Sequence, residues 1–292
     1  MTGRKQTRRT RNMIWFIAWL ALVYLLLRWF EQRQVYQPDR AMEAAGGDLG
    51  RPFEDVYFAT SDGVKLNAWF YPANTNSPRS HLGVLVFHGN AGNISHRLDH
   101  VAALLETGVA VFMFDYRGYG RSEGRPNEAG TYLDAQSAHA WLRQKGFAAT
   151  NIVALGDSLG GGVASELALL ETLGGLILQS TYTSMTDLGA ELFPWLPVRL
   201  VAHIKYDTLS KLPRIKVPVL VIHSRADGLI PFHHAEKNFA AANEPKLIRE
   251  IAGDHNDFLG DGRKLYVEGL NRFLAMIESA RGKEAAIPPT KN

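Results

Sequence analysis

Residues 156–160 read Gly-Asp-Ser-Leu-Gly, a G-x-S-x-G pattern centred on Ser158. The pattern alone carries little, because the chain holds 27 glycines. Its surroundings carry more. The apolar run Ile152-Val153-Ala154-Leu155 precedes it and a helical pattern over 163–170 follows it. A serine on a tight strand-to-helix turn has a strained backbone, and glycines on either side remove the Cβ atoms that would clash. Such a turn lifts Oγ clear of the sheet and aims a helix N-terminus at developing negative charge. Gly161 and Gly162 extend the small-residue stretch and allow close helix–sheet packing. Glycine-rich turns also cradle phosphates, but G-x-x-x-x-G-K-[ST] is absent from the chain. Ser158 is therefore expected to be a nucleophile.

A serine hydroxyl needs a base to take its proton, and that base must be oriented by a third group. Asp227 follows the apolar run 217–223, and His255 follows the run 246–251. If those runs are parallel strands, both residues sit at carboxyl ends, on the sheet edge that also carries Ser158. The expected acid is Asp227 and the expected base His255. Asp254 and Asp257 lie close to the histidine in sequence, but a neighbour reaches Nδ1 from the correct side only with difficulty. A tetrahedral intermediate also needs two convergent N–H donors. One is expected from Leu159, the residue after the nucleophile. The other is expected from Asn90 in His88-Gly89-Asn90-Ala91-Gly92-Asn93, where Gly89 would let the backbone turn inward and His88 would brace the loop.

These residues need a scaffold that brings 90, 158, 227 and 255 together. Segments 53–59 and 64–71 alternate around Ser61-Asp62-Gly63 and read as a β-hairpin. Buried-strand patterns follow at 83–87, 109–114, 152–155, 176–178, 217–223 and 246–251. Helical patterns lie at 95–106, 128–145, 159–171, 232–242 and 261–280. Strands that are nearly continuous apolar runs separated by helices imply a mostly parallel α/β sheet covered on both faces, with the hairpin as an antiparallel edge. Segment 186–214 breaks the alternation with Leu192-Phe193-Pro194-Trp195-Leu196-Pro197. It reads as a cap-like insertion that covers a site or leans on a membrane, or as ordinary helix packing. No internal repeat is evident.

The 292 residues contain no cysteine, which excludes a disulfide scaffold, a thiolate nucleophile and Cys-ligated metal centres. The net charge of +3 resides in residues 1–12, which hold Arg4, Lys5, Arg8, Arg9 and Arg11 and no acid. Without them, 27 basic residues face 29 acidic ones, so a nucleic-acid partner is not expected. Residues 13–30 read MIWFIAWLALVYLLLRWF. At about 1.5 Å per residue, this stretch spans roughly the hydrocarbon thickness of a bilayer. Arg28 lies near its end, where its stem can carry the charge to the headgroups. The residues that follow, Trp29 to Arg33, offer no small-residue cleavage site, which argues against a cleaved signal peptide. The positive-inside bias puts the N-terminus in the cytoplasm and the rest across the membrane, facing the periplasm in a bacterial inner membrane. The expected organisation is a basic tail (1–12), a transmembrane anchor (13–30), a linker (31–52), a catalytic domain (53–281) and a flexible tail (282–292).

His88-Gly89-Asn90-Ala91-Gly92, Asp115-Tyr116-Arg117-Gly118-Tyr119-Gly120, Gly156-Asp157-Ser158-Leu159-Gly160, Asp227 before Gly228-Leu229-Ile230-Pro231, and Gly253-Asp254-His255-Asn256-Asp257 together resemble the serine α/β-hydrolase superfamily. Within it, the chain is similar to the small hydrolases tethered by one N-terminal transmembrane helix. The resemblance covers about residues 53–280. It implies the α/β-hydrolase fold with an eight-stranded, mostly parallel sheet, and a triad of Ser158, Asp227 and His255. Asp254 stands where many relatives have glycine, which adds a carboxylate beside the base. The Arg117 loop reads as structural.

The expected activity is hydrolysis of a carboxylic ester or thioester through an acyl-enzyme. The expected substrate is a small-molecule or lipid-like ester bearing an acyl chain, and no cofactor or metal is expected. A serine peptidase of the same fold and a non-enzymatic membrane-anchored scaffold are the alternatives. Acyl length, headgroup and oligomeric state are not set by the sequence.

Overall fold

The computed structural model describes residues 2–257, 259–260 and 262–285. Eight strands form one sheet: β1 (Glu54–Ala59), β2 (Lys65–Tyr71), β3 (Gly83–Phe87), β4 (Ala110–Phe114), β5 (Ile152–Asp157), β6 (Gly175–Gln179), β7 (Val219–Ser224) and β8 (Lys246–Ile251). Their order across the sheet is β8-β7-β6-β5-β3-β4-β2-β1. The hairpin β1–β2 pairs antiparallel, β2 pairs antiparallel with β4, and every other neighbouring pair is parallel. The turn residue Gly63 takes φ +83°, which suits glycine there.

Alternate strand residues point to opposite faces. Leu85, Phe87 and Ala154 therefore join one apolar cluster, while Val84, Val86, Val153 and Leu155 join the other. The first cluster is covered by α3 (Glu128–Gln144), α4 (Leu159–Leu170) and α7 (His233–Ala241), through residues such as Leu142, Val163 and Ala235. The second is covered by α2 (Leu98–Leu105) and α8 (Arg263–Ala285), through Val101, Leu104, Leu270 and Phe273. Burial on both faces is why these strands read as unbroken apolar runs.

The N-terminal helix α1 runs from Thr2 to Val35 without a break. It is long and apolar enough to cross a membrane, and its apolar part is not buried against the rest of the chain. The expected boundaries at 12 and 30 are thus not breaks in structure. The expected linker, 31–52, is also different from a free tether. Val35 and Tyr36 are buried in the core, and Gln37–Pro38 pairs in parallel with Ala91–Gly92. Gly46, which reads as a loop glycine, is instead a close-packing position: a Cβ there would lie 2.5 Å from the Phe53 ring. The expected tail, 282–292, begins inside α8, which reaches Ala285, and residues 286–292 lie outside the described residues.

Between β6 and β7 the chain forms two short helices, α5 (Met185–Leu192) and α6 (Val198–Val201). This insertion leans on α1. Phe30 and Phe193 meet edge to face at 5.5 Å between ring centroids. One oxygen of Glu31 accepts the backbone N–H groups of His203 and Ile204, each at 2.7 Å. Below it, the Tyr36 and Tyr206 hydroxyls lie 2.8 Å apart. Arg117 binds Asp134 and Asp62 at 2.8–3.0 Å, which fixes the loop after β4 and leaves the guanidinium no role at the sheet edge.

Candidate active site

The turn between β5 and α4 places Ser158 at φ 51°, ψ −112°, a conformation that few non-glycine residues adopt. The two flanking glycines are sterically required. A Cβ on Gly160 would lie 1.9 Å from the Phe87 carbonyl oxygen, and one on Gly156 would lie 2.4 Å from the Gly160 carbonyl oxygen. The Ser158 N–H donates to the Gln179 carbonyl at 2.9 Å, so β6 holds the turn from the side.

His255 comes from the loop after β8 and Asp227 from the loop after β7, 97 and 69 residues from Ser158 in sequence. The structure brings all three together. His255 Nε2 lies 3.1 Å from Ser158 Oγ, and His255 Nδ1 lies 2.8 Å from Asp227 Oδ2. All three are buried. The other Asp227 oxygen accepts the N–H groups of Leu229 (3.0 Å) and Ile230 (2.8 Å). Burial alone would raise the Asp227 pKa. Hydrogen bonds from His223 and His255, the His255 charge and the Ile230 N–H outweigh it and hold the carboxyl well below the usual range. Asp227 is therefore an anion that can orient an Nδ1–H. For His255, burial pushes the pKa down. The hydrogen bond and charge of Asp227, helped by Asp157 and Asp254, more than reverse this, so it lies above its ordinary 6.5.

Two supporting residues carry no signal that spacing alone would reveal. His223, on the last turn of β7, points Nε2 at the Ile230 carbonyl (2.8 Å) and at Asp227 Oδ2 (3.3 Å), which secures the acid loop. A histidine four residues before the acid was the available clue. Asp254 does not contest Nδ1. Its Oδ1 accepts the Gly228 N–H at 2.8 Å and the His255 N–H at 2.7 Å, tying the acid loop to the base loop.

Leu159, as the first residue of α4, has an N–H without an intrahelical acceptor. Asn90 borders the same cavity as Ser158 and Leu159. His88 Nδ1 lies 2.7 Å from the Gly89 carbonyl oxygen, and across a trans peptide this turns the Asn90 N–H the opposite way. The Asn90 carbonyl is held by the Gln37 N–H (3.0 Å) and the Tyr119 hydroxyl (2.8 Å). His88 thus braces the loop. Gly89 differs from its expected role: it is not among the left-handed glycines, and a Cβ there would make only ordinary contact, 3.6 Å from Ser158 Cβ.

Ser158 and His255 open into a cavity of about 330 Å³, within the range of small-molecule sites. The wall from α1 (Leu27, Phe30) and the insertion (Leu188, Leu192, Phe193, Val201) is mostly apolar, with Glu31 and Gln34 of α1 beside them. Two groups elsewhere bring three ligand-type atoms within 4.8 Å of one another, Glu191/His233/His234 and Asp39/Glu43/His96. Neither lines the cavity. In the first, His234 Nδ1 accepts the Thr183 N–H at 3.1 Å, so its proton resides on Nε2, 3.4 Å from Glu191. Burial lowers the pKa of this imidazole, and a neutral ring with its proton on Nε2 offers no lone pair toward Glu191 for a metal.

A base within reach of a hydroxyl and oriented by a buried carboxylate, on a cavity that Leu159 and Asn90 also line, is an arrangement suited to acyl transfer. Residues 84–205 match the α/β hydrolase fold family. The chain is 32% identical over 288 residues to the α/β hydrolase domain-containing protein WAV2 of Arabidopsis thaliana, covering 89% of this chain and 92% of that one. It belongs to the α/β-hydrolase superfamily. It is also 34% identical over 240 residues to protein bem46 of Schizosaccharomyces pombe, covering 78% of each chain. Among solved structures, an esterase of Pyrococcus furiosus superposes with a TM-score of 0.68 at 22% identity, covering 83% of this chain and 98% of that one. That likeness is one of fold: this chain has the α/β-hydrolase fold with a mostly parallel eight-stranded sheet.

Proposed function

We propose that this α/β hydrolase is a serine esterase, anchored by α1 in a membrane, that cleaves carboxylic ester or thioester bonds of acyl-bearing substrates. The observation that carries the reading is the relay of 3.1 Å from Ser158 Oγ to His255 Nε2 and 2.8 Å from Nδ1 to Asp227. Ser158 Oγ attacks the carbonyl carbon as its proton passes to His255 Nε2. The carbonyl π electrons move onto oxygen, where the N–H groups of Leu159 and Asn90 stabilise the charge. The intermediate collapses and expels the alcohol or thiol, which takes the proton from His255. Water, deprotonated by the same imidazole, then attacks the acyl-enzyme and releases the acid and free Ser158. Asp227 fixes the tautomer throughout.

The esterase names of several solved neighbours favour esters over amides. The mostly apolar wall from α1 and the insertion favours an acyl chain over a polar group. The five basic residues before residue 13 favour a cytoplasmic N-terminus, with the catalytic domain on the opposite side of the bilayer. The test is covalent labelling of the full chain with a short alkyl fluorophosphonate, compared with Ser158→Ala, alongside turnover of p-nitrophenyl esters and of peptide amides. Labelling lost in the variant, with ester turnover dominant, is expected. A folded parent that is not labelled overturns the assignment, and preferential amide turnover overturns the ester specificity.

A further inference from the structure

We propose that α1 is a wall of the substrate site as well as an anchor. Its last turns and the α5–α6 insertion enclose an acyl channel that opens sideways into the bilayer, so the substrate is an ester resident in the membrane. The inference rests on the esterase reading above and names the source from which that site takes its substrate.

Three observations carry it. The first is depth. Leu27 and Phe30 line the cavity that contains Ser158, yet both fall inside the continuous apolar stretch 13–30. A residue that faces lipid at one end of a wall and the nucleophile's cavity at the other makes the two compartments neighbours. From Leu27 to Val35 the helix advances about 12 Å, and both ends of that advance border the cavity. The second is the rim. On the insertion, Leu192, Trp195 and Leu200 are 45%, 74% and 86% exposed. They flank the point where Phe193 packs on Phe30, beside the exposed Leu26 and Trp29 of α1. A large exposed apolar patch continuous with an apolar helix is matched by lipid, and a tryptophan at that level suits the interface. The third is rigidity. Glu31 binds the N–H groups of His203 and Ile204, so the insertion swings away from the anchor only by breaking both bonds.

The lining fits one occupant. Ser158, His255 and Asn90 share the cavity with a lining from α1, α5 and α6 that is mostly aliphatic and aromatic, with Glu31 and Gln34 of α1 as its polar members. An acyl chain entering from lipid meets mostly apolar side chains, Leu27, Phe30, Leu192 and Phe193 among them. A chain entering from water would first lose the hydrophobic free energy of every exposed methylene.

The experiment uses the full chain in phosphatidylcholine vesicles and a hexadecyl fluorophosphonate with a diazirine near the chain end. The expected product is phosphonylated at Ser158 and, after irradiation, crosslinked within 27–30 or 192–196. Phosphonylation of Ser158 with crosslinks confined to other segments overturns the channel and leaves the esterase reading intact. No phosphonylation by either this probe or a short-chain one overturns both. A second arm uses the double variant Trp195→Glu, Leu200→Glu, at exposed positions outside the cavity. Its kcat/KM on water-soluble p-nitrophenyl butyrate is expected within about twofold of the parent, and turnover of a vesicle-borne long-chain ester roughly tenfold lower, because interfacial affinity scales with buried apolar area. Equal turnover of the vesicle-borne ester by parent and variant overturns the proposal.

Discussion

The two walls of the cavity are built on different terms. One is the carboxyl rim of the sheet, where Ser158, Asp227 and His255 each sit at the end of a parallel strand within 3.1 Å of the next. The other is the far wall, where α1 meets the α5–α6 insertion through Phe30–Phe193 and Glu31. The rim is made of residues whose types announce chemistry and whose backbone requirements are local. The far wall is made of ordinary apolar side chains that come together across about 170 residues of sequence. On the proposed function, the reaction is encoded in short motifs and the choice of substrate in long-range packing. Substitutions on the rim are expected to reduce turnover of every ester alike. Those on the far wall are expected to separate one substrate from another.

The largest expected effect belongs to the nucleophile. Ser158→Ala is expected to lower kcat by about 10⁶, by analogy with triads that act as a unit, on soluble and vesicle-borne esters equally and with an unchanged thermal midpoint. A variant that keeps its vesicle-borne turnover while losing the soluble one would break the division between walls. Asp227→Asn comes next. An amide in that place can present N–H where the imidazole needs an acceptor, and loss of the correct tautomer is expected to lower kcat by about 10⁴. Measured kcat within about tenfold of the parent would assign the orienting role elsewhere, since triad carboxylates act through that tautomer.

The contrast between the walls also explains what could be read without coordinates. Gly156 is demanded by the Gly160 carbonyl four residues on and Gly160 by the Phe87 carbonyl of the neighbouring strand, but both flank the serine in one short pattern, so the nucleophile turn was legible. The strands were legible because burial on both faces leaves β3, β5 and β6 apolar up to their carboxyl ends, where Asp157 and Gln179 come last. Segment 31–52 was not. Its glycines and Pro38 have the composition of a tether, and only the ring of Phe53 over Gly46 shows that the glycine is there for close packing. Asp254 was legible as a carboxylate beside the base, but its purpose lies in backbone N–H groups that no side-chain pattern reports. That α1 would border the cavity had no local signal at all, because Leu27 and Phe30 satisfy an anchor and a pocket with the same side chains.

A smaller effect tests how the loop that carries Asn90 is held. The Tyr119 hydroxyl donates to the Asn90 carbonyl at 2.8 Å, while its ring packs on His88 and Tyr116. Tyr119→Phe keeps the packing and removes one of two donors, since the Gln37 N–H still holds that carbonyl. The expected result is a drop in kcat of roughly threefold to tenfold with KM little changed, because an oxyanion donor acts mainly in the transition state. A rise in KM at constant kcat would instead place Asn90 in ground-state binding.

The smallest effect is the most discriminating about the rim, because it separates charge from shape. Asp254 holds the Gly228 and His255 N–H groups with one oxygen, and its charge also contributes to raising the His255 pKa. Asp254→Asn keeps an acceptor oxygen for the two N–H groups and discards the charge. Catalysis needs neutral His255, so kcat/KM falls as pH drops through the imidazole pKa, and in the parent that limb lies above 6.5. Removing a nearby anion disfavours the imidazolium, so the limb is expected to move to lower pH. The shift should be small, because Asp254 is open to solvent and screened. At pH 6 the variant would then be slightly faster than the parent, while at pH 8 a weaker base would make it equal or slightly slower. Asp254→Ala removes the clamp as well, so the same displacement of the limb should come with a lower plateau. If the asparagine variant leaves the limb in place and the alanine variant alone loses activity, Asp254 acts only as a tie between loops.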